Sequence, residues 1–115
     1  MSKNFVELAS EVDARAVALF KAAPDAMKQY RGLMEAAGKA GALDAKTKEL
    51  MALGIAIAMR CDGCIVYHVR AAQKKGANRE EVAETIAVAI EMGGGPATVY
   101  GAEALAAFDQ FAGGK

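Results

Sequence analysis

Apolar residues recur at helical spacing along almost the whole chain, and little in the sequence would interrupt a helix. Alanine, the residue with the highest helix propensity, supplies 27 of the 115 residues, and there are only two prolines. β-branched residues dominate no stretch, and the 3.6-residue period differs from the alternation of half-buried strands. We therefore predict an all-α fold, and the length fits a single domain over residues 1–115.

Capping residues, prolines and glycines divide this pattern into about six helices. Asp44 and Asn78 are N-cap candidates for the third and fifth helices, and Glu81 stands at the capping-box position after Asn78. Pro24 and Pro96 fit the first turns of the second and last helices. The predicted segments are roughly 4–22, 24 to between 38 and 41, 45 to about 59, 61 or 62 to 75, 79 to the glycines at 93–95, and 96–111.

The third and fifth helices are unusually apolar for so short a chain. From Leu50 onward the third helix is apolar nearly all round, which predicts burial on most of its sides. Val82, Ile86 and Ile90 form an apolar stripe on the fifth helix. Because a small monomer covers apolar helices poorly, we expect a homo-oligomer in which these two helices pack across subunits. The alternative is a well-filled bundle within one chain.

Charge and hydropathy exclude several classes of protein. The 14 basic and 14 acidic residues give a net charge of zero, and no basic stripe marks a nucleic-acid surface. The N-terminus lacks the apolar core of a signal peptide. The longest uncharged apolar run, residues 50–59, is half of the roughly 20 residues that a membrane span needs. We expect a cytoplasmic protein with neither nucleic acid nor membrane as a partner.

The segment 60–68 contains the only two cysteines and the only histidine of the chain, Cys61, Cys64 and His68. Offsets of three and seven residues return to nearly one face of a helix. A thiol near a helix N-terminus has a lowered pKa, and a second thiol three residues away can close a disulfide. His68, one turn beyond Cys64, can take its proton and return it. Cys64 is therefore the predicted nucleophile and Cys61 the resolving thiol.

Glu49 is the candidate carboxylate that would orient the His68 ring. It is the last acidic residue before the apolar run, and it could reach His68 if the third and fourth helices pack antiparallel. On spacing alone, Glu49 could equally be a surface residue paired with Lys46 or Lys48.

Two other interpretations of the cysteine segment stay open. The cysteines could be buried as small apolar residues. Alternatively, Cys61, Cys64, His68 and Glu49 could bind zinc, although structural zinc sites usually join loops, whereas three of these residues follow one helix. We predict neither a metal nor a cofactor.

The spacing of Glu49, Cys61, Cys64 and His68 resembles the motif of the AhpD-like alkyl hydroperoxidase group within the carboxymuconolactone decarboxylase family. The Met-Gly-Gly-Gly-Pro run at 92–96 and the Val-Tyr-Gly at 99–101 are also similar to that group, and the resemblance covers about residues 15–110. It implies an all-helical fold that assembles as a homotrimer or homohexamer.

The resemblance also implies roles for the residues of the motif. Cys64 corresponds to the cysteine that attacks a peroxide and becomes a sulfenic acid, Cys61 resolves it to a disulfide, and Glu49 and His68 form a proton relay. Better-known hydroperoxidases of the group have a second histidine immediately before the second cysteine, where this chain has Gly63. The decarboxylases of the wider family act on a lactone ring and lack the paired cysteines, so that activity is not expected.

We therefore expect a thiol-dependent antioxidant enzyme that reduces hydroperoxides. A dithiol donor, such as a lipoyl-bearing or thioredoxin-like protein, would restore its thiols. The alternatives are a protein disulfide reductase or electron relay without strong peroxidase activity, and a non-catalytic metal-binding module.

Overall fold

The computed structural model describes residues 3–113, and all regular secondary structure in this range is helical. The six helices are α1 (Phe5–Ala22), α2 (Pro24–Gly38), α3 (Ala45–Met59), α4 (Asp62–Lys74), α5 (Arg79–Gly93) and α6 (Gly95–Phe111). Every predicted helix start lies within one residue of the observed start, α2 ends at the first residue of its predicted range of 38–41, and the all-α prediction is confirmed. Within the described range, no helix is both long and apolar enough to cross a membrane.

The predicted N-caps are present because their side chains satisfy backbone N–H groups that have no partner within the helix. Asp44 accepts a hydrogen bond from the Thr47 N–H at 2.8 Å. Asn78 accepts from the Glu81 N–H at 2.8 Å, and Glu81 accepts in return from the Asn78 N–H at 2.9 Å. These contacts fix where α3 and α5 begin, and the second pair is the predicted capping box.

The core lies among α3, α4, α5 and α6. Its largest fully buried side chains are Leu53, Ile57, Ile65, Val66, Val69 and Val82. On α6 the core face consists mainly of small residues, and a Cβ atom at Gly101 would lie only 2.5 Å from Cγ2 of Ile86. Glycine at position 101 therefore allows α5 and α6 to approach closely.

The prediction that the third helix is buried on most sides is wrong within a single chain. Leu53, Ala56 and Ile57 face the core, but Met51, Ile55 and Met59 are more than half exposed. The exposed residues stand four apart and form a stripe along α3. One chain supplies helices for only one side of α3, which leaves the other side uncovered.

Candidate functional site

A two-residue turn between α3 and α4 places the cysteines. Arg60 adopts the left-handed backbone conformation, with φ of 60°, and its N–H donates to the Ile57 carbonyl at 3.1 Å. The Cys61 N–H donates to the Ala56 carbonyl at 3.2 Å. These bonds end α3 in the manner of a left-handed helix cap and reverse the chain directly before α4.

Cys61 and Cys64 are joined by a disulfide, with their Cα atoms 5.2 Å apart. Cys61 is the N-cap of α4 rather than a residue of its first turn, and its Sγ accepts a hydrogen bond from the Cys64 N–H at 3.2 Å. Cys61 is half-buried, whereas Cys64 is exposed. The N-terminus of α4 thus directs a backbone donor at the Cys61 sulfur, and Cys64 is the more exposed residue of the pair.

Glu49 and His68 form a hydrogen-bonded pair between α3 and α4. Glu49 Oε1 lies 2.8 Å from His68 Nδ1, and the two side chains are only 19% and 24% exposed. An ionised carboxyl group can only accept, so the hydrogen in this bond belongs to Nδ1. Nε2 of His68 is then the ring atom left to exchange a proton. The Tyr67 ring meets the His68 ring edge-on, with centroids 5.0 Å apart.

The structure decides between the two interpretations of Glu49. Lys46 pairs with Glu81 at 2.8 Å, and Lys48 donates to the backbone carbonyl of Lys39 at 2.6 Å. Glu49 contacts His68 instead. This contact requires α3 and α4 to pack antiparallel, which was the condition stated from the sequence. The carboxylate and the imidazole are therefore brought together by the antiparallel packing of two helices.

The two faces of α4 separate the core from the site. Ile65, Val69 and Ala72 follow the buried face, and Cys64 and His68 lie one helical turn apart beside it. The interpretation of both cysteines as buried apolar residues is wrong, because Cys64 is exposed.

The zinc alternative has no geometric support. Within residues 3–113 no group of three or more His, Cys, Asp or Glu side chains is arranged to hold a metal ion. In this disulfide form, neither Cys61 nor Cys64 has a thiolate to donate to a metal.

One charged group beside the cysteines was missed by the sequence analysis. Lys3 Nζ lies 3.2 Å from Oδ2 of Asp62, the residue that follows Cys61, and 3.0 Å from Oε1 of Glu103 on α6. In the sequence, the acidic residue Asp62 between the two cysteines indicated that a basic residue could pair with it. The separation of 59 residues between Lys3 and Asp62 hid its identity.

Comparison with known proteins identifies the relatives of this fold and site. The family model described as the carboxymuconolactone decarboxylase family matches residues 24–107. The chain belongs to the carboxymuconolactone decarboxylase family. The matched range contains Glu49, both cysteines and His68, and it excludes α1 and Lys3. The family resemblance inferred from the sequence is therefore confirmed.

Individual proteins are similar to this chain over most of its length. The apo structure of a family protein from Legionella pneumophila is 43% identical, with a TM-score of 0.91, and the match covers 96% of this chain and 98% of that one. A Thermotoga maritima family protein, for which a part in an antioxidative response has been suggested, is 31% identical with a TM-score of 0.79, covering 96% and 92%. An uncharacterised Cupriavidus necator protein is 43% identical over 100 residues, covering 87% and 88%.

Proposed function

We propose that this protein is a thiol-dependent hydroperoxide reductase that uses Cys61 and Cys64 as its redox pair. The observation that carries the proposal is the Cys61–Cys64 disulfide at the start of α4, with the hydrogen-bonded Glu49–His68 pair one helical turn from Cys64. A reversible dithiol and a proton-transfer group on one helix supply the two capacities that peroxide reduction requires.

The peroxide step falls to Cys64 because it is the more exposed residue of the pair. In the reduced protein, the Cys64 thiolate attacks one oxygen of a hydroperoxide and the O–O bond breaks. An alcohol leaves after gaining a proton, and Cys64 becomes a sulfenic acid. His68 is suited to manage this proton through Nε2, since Glu49 fixes the hydrogen on Nδ1.

The second step regenerates the disulfide. The Cys61 thiolate attacks the sulfenic sulfur of Cys64, a sulfur–sulfur bond forms, and hydroxide leaves as water after gaining a proton. The Cα separation of 5.2 Å is within the range that a disulfide needs, so this step requires little backbone movement.

Turnover then needs two electrons from a dithiol donor. A donor thiolate attacks the sulfur of Cys64, the more exposed residue, and forms a mixed disulfide, and Cys61 leaves as a thiolate. The donor's second thiol then releases Cys64 and leaves the donor as a disulfide. The hydrogen bond from the Cys64 N–H to Cys61 Sγ stabilises that leaving group. A lipoyl-bearing or thioredoxin-like protein in the reducing cytoplasm fits this role.

Single cysteine substitutions test the proposal. Cys64→Ser should abolish peroxide consumption, while Cys61→Ser should stop cycling and leave a sulfenic acid that a dimedone-type reagent traps. Consumption is measured with hydrogen peroxide and a bulky organic peroxide, supplied with excess dithiol. Full catalytic turnover by the Cys64→Ser variant would refute the assignment.

A second candidate is a disulfide reductase or electron relay for a partner protein. The stabilised Cys61 leaving group and Gly63, at the place of the second histidine in better-known hydroperoxidases, favour this candidate. Rapid reduction of a protein disulfide with negligible peroxide consumption would select the relay. Gly63→His is informative here, because a restored relay histidine should raise peroxide turnover and leave disulfide exchange little changed.

We also propose assembly into a homotrimer or homohexamer through α3 and α5. The stripe of Met51, Ile55 and Met59 on α3 is exposed, and so are Val88 and Met92, one turn apart on α5. Exposed apolar side chains repeated along a helix are typical of subunit interfaces.

A further inference from the structure

The chain segment before α1 is fastened beside the cysteine turn. The Phe5 N–H donates to Gln110 Oε1 at 2.6 Å, and Gln110 Nε2 donates to the Lys3 carbonyl at 3.3 Å. Phe5 itself is buried in the core. These contacts with α6 hold the backbone of Lys3 in place, so its ammonium group is not on a freely moving tail.

The Lys3 ammonium group joins Asp62 and Glu103. Its Nζ lies 3.2 Å from Asp62 Oδ2 and 3.0 Å from Glu103 Oε1. The pKa of Lys3 is raised above its usual value, chiefly by the hydrogen bond to Glu103 and further by the hydrogen bond to Asp62. Lys3 is therefore a fixed positive charge at neutral pH.

Asp62 lies between the two cysteines in the sequence and carries a negative charge. It directly follows Cys61, and as the first residue of α4 it is held at the helix end where a thiolate would form. A nearby carboxylate disfavours a thiolate, because like charges repel, and so favours the uncharged disulfide. Asp62 therefore opposes the stabilisation that the helix N-terminus gives to the reduced sulfurs.

The surroundings of Asp62 are otherwise acidic on the α1 side. A groove of about 240 Å³ runs between α1 and Asp62, and its lining residues are Lys3, Asn4, Glu7, Leu8, Glu11 and Asp62. Among these described lining side chains, Lys3 carries the one positive charge. Arg60, on the other side of Cys61, also contributes positive charge and is kept in every variant below.

We propose that Lys3 is a positioning residue that offsets the charge of Asp62 and thereby raises the reduction potential of the Cys61–Cys64 pair. In this proposed role, Lys3 acts through Asp62 and not by direct contact with either sulfur. The inference rests on the proposed redox function of the pair, but it concerns a residue outside the range that the family model matches. The segment before α1 would thus control how readily the disulfide is reduced.

The test is a redox titration of the full chain against glutathione at about pH 8, where thiolates are well populated. Lys3→Gln should shift the equilibrium about threefold toward the disulfide, which corresponds to a potential lower by about 14 mV for a two-electron couple. Asp62→Asn should shift it in the opposite direction. In the Asp62→Asn background, Lys3→Gln should change the equilibrium by less than about 1.5-fold, since its target is gone.

Salt and a distant ion pair provide the controls. Lys3 and Asp62 are 44% and 46% exposed, so the effect of Lys3→Gln should shrink in about 1 M salt. Arg79→Gln removes a positive charge that pairs with Asp109 between α5 and α6, and it should leave the potential unchanged.

Three results would overturn the inference: a Lys3→Gln potential equal to that of the parent, a shift undiminished in the Asp62→Asn background, or an equal shift in Arg79→Gln. The titration needs no peroxide turnover. A protein without peroxidase activity can therefore still support the role of Lys3, and an active peroxidase can still refute it.

Discussion

The α1–α2 pair and the body formed by α3–α6 differ sharply in packing, although apolar residues recur at helical spacing in both. α4 buries Ile65, Val66, Val69 and Ala72, whereas α2, which is two residues longer, has no buried residue. On α1 only Phe5 and Ala9 are buried, both near its start. An apolar stripe therefore predicts a helix and its apolar face, but a partner for that face must come from elsewhere in the structure.

This difference bears on the candidate site. Glu49, Cys64 and His68 all belong to α3 and α4, which pack against the well-filled core. Reactive groups held on packed helices keep their mutual geometry better than groups on loosely packed ones. α1 contributes none of these three groups, and it contacts α4 through the ion pair of Arg70 with Asp13 at 3.2 Å.

The largest effect is expected on α3, where the apolar stripe of Met51, Ile55 and Met59 is exposed in the single chain. If the proposed assembly forms through α3, Ile55→Asp, at a position 58% exposed, should break it, because a charge buried in an apolar interface costs several kcal/mol. Val17→Asp, at a position 56% exposed on α1, is the matched control and should leave the assembly intact. Sedimentation velocity measures the oligomeric state of both variants. If only Val17→Asp causes dissociation, the interface lies on α1 and not on α3.

A pair of leucine truncations tests the packing contrast directly. Leu53→Ala on α3 removes a fully buried side chain and should lower the free energy of unfolding by about 2–5 kcal/mol. Leu33→Ala on α2, where the side chain is 63% exposed, should change it by less than about 0.5 kcal/mol. Urea unfolding gives both values, and equal losses would mean that α2 is covered in solution.

Two glycine-to-alanine substitutions should have opposite signs. Gly101→Ala places a methyl group 2.5 Å from Ile86 Cγ2 and should destabilise the protein by about 1–3 kcal/mol. Gly32→Ala lies within α2, where an added Cβ meets nothing within 4 Å, and should stabilise it by about 0.5–1 kcal/mol. Thermal unfolding monitored by circular dichroism distinguishes them, and a stable Gly101→Ala variant would contradict the tight α5–α6 contact.

The smallest effect concerns an ion pair that joins α3 to α5. The pKa of Glu81 is lowered, first by its hydrogen bond from Lys46 and then by the Asn78 N–H. A carboxyl group whose pKa is lower in the folded state stabilises the fold at pH values above 4.5, its ordinary pKa. That contribution is lost as the pH falls through the lowered pKa of the folded state. Glu81→Gln should therefore lower the unfolding midpoint slightly at neutral pH, and the difference from the parent should disappear at about pH 3.

The control for that measurement is an ion pair confined to the α1–α2 pair. Glu11→Gln removes a bond of 3.4 Å to Arg15 within α1, between side chains 60% and 71% exposed. Such a pair contributes little, so the midpoint at neutral pH should hardly change. If Glu11→Gln lowers the unfolding midpoint more than Glu81→Gln does, the ion pair within α1 stabilises the protein more than the pair that joins α3 to α5, contrary to this expectation.

The sequence alone was enough to locate the helices, their caps and the redox candidates. Asp44 and Asn78 bond backbone groups three residues away, and Cys61, Cys64 and His68 are related by helical spacing. These relations are local, so helix geometry and hydrogen-bonding rules specify them before any tertiary contact forms.

Only the tertiary structure decided which distant groups meet. The choice of His68 over Lys46 or Lys48 as the partner of Glu49 depended on the antiparallel packing of α3 and α4. The contact between Lys3 and Asp62, and the exposure of α2, likewise depend on where whole helices lie. Spacing along one helix carries no information about the orientation of another, because that orientation results from the packing of many side chains at once.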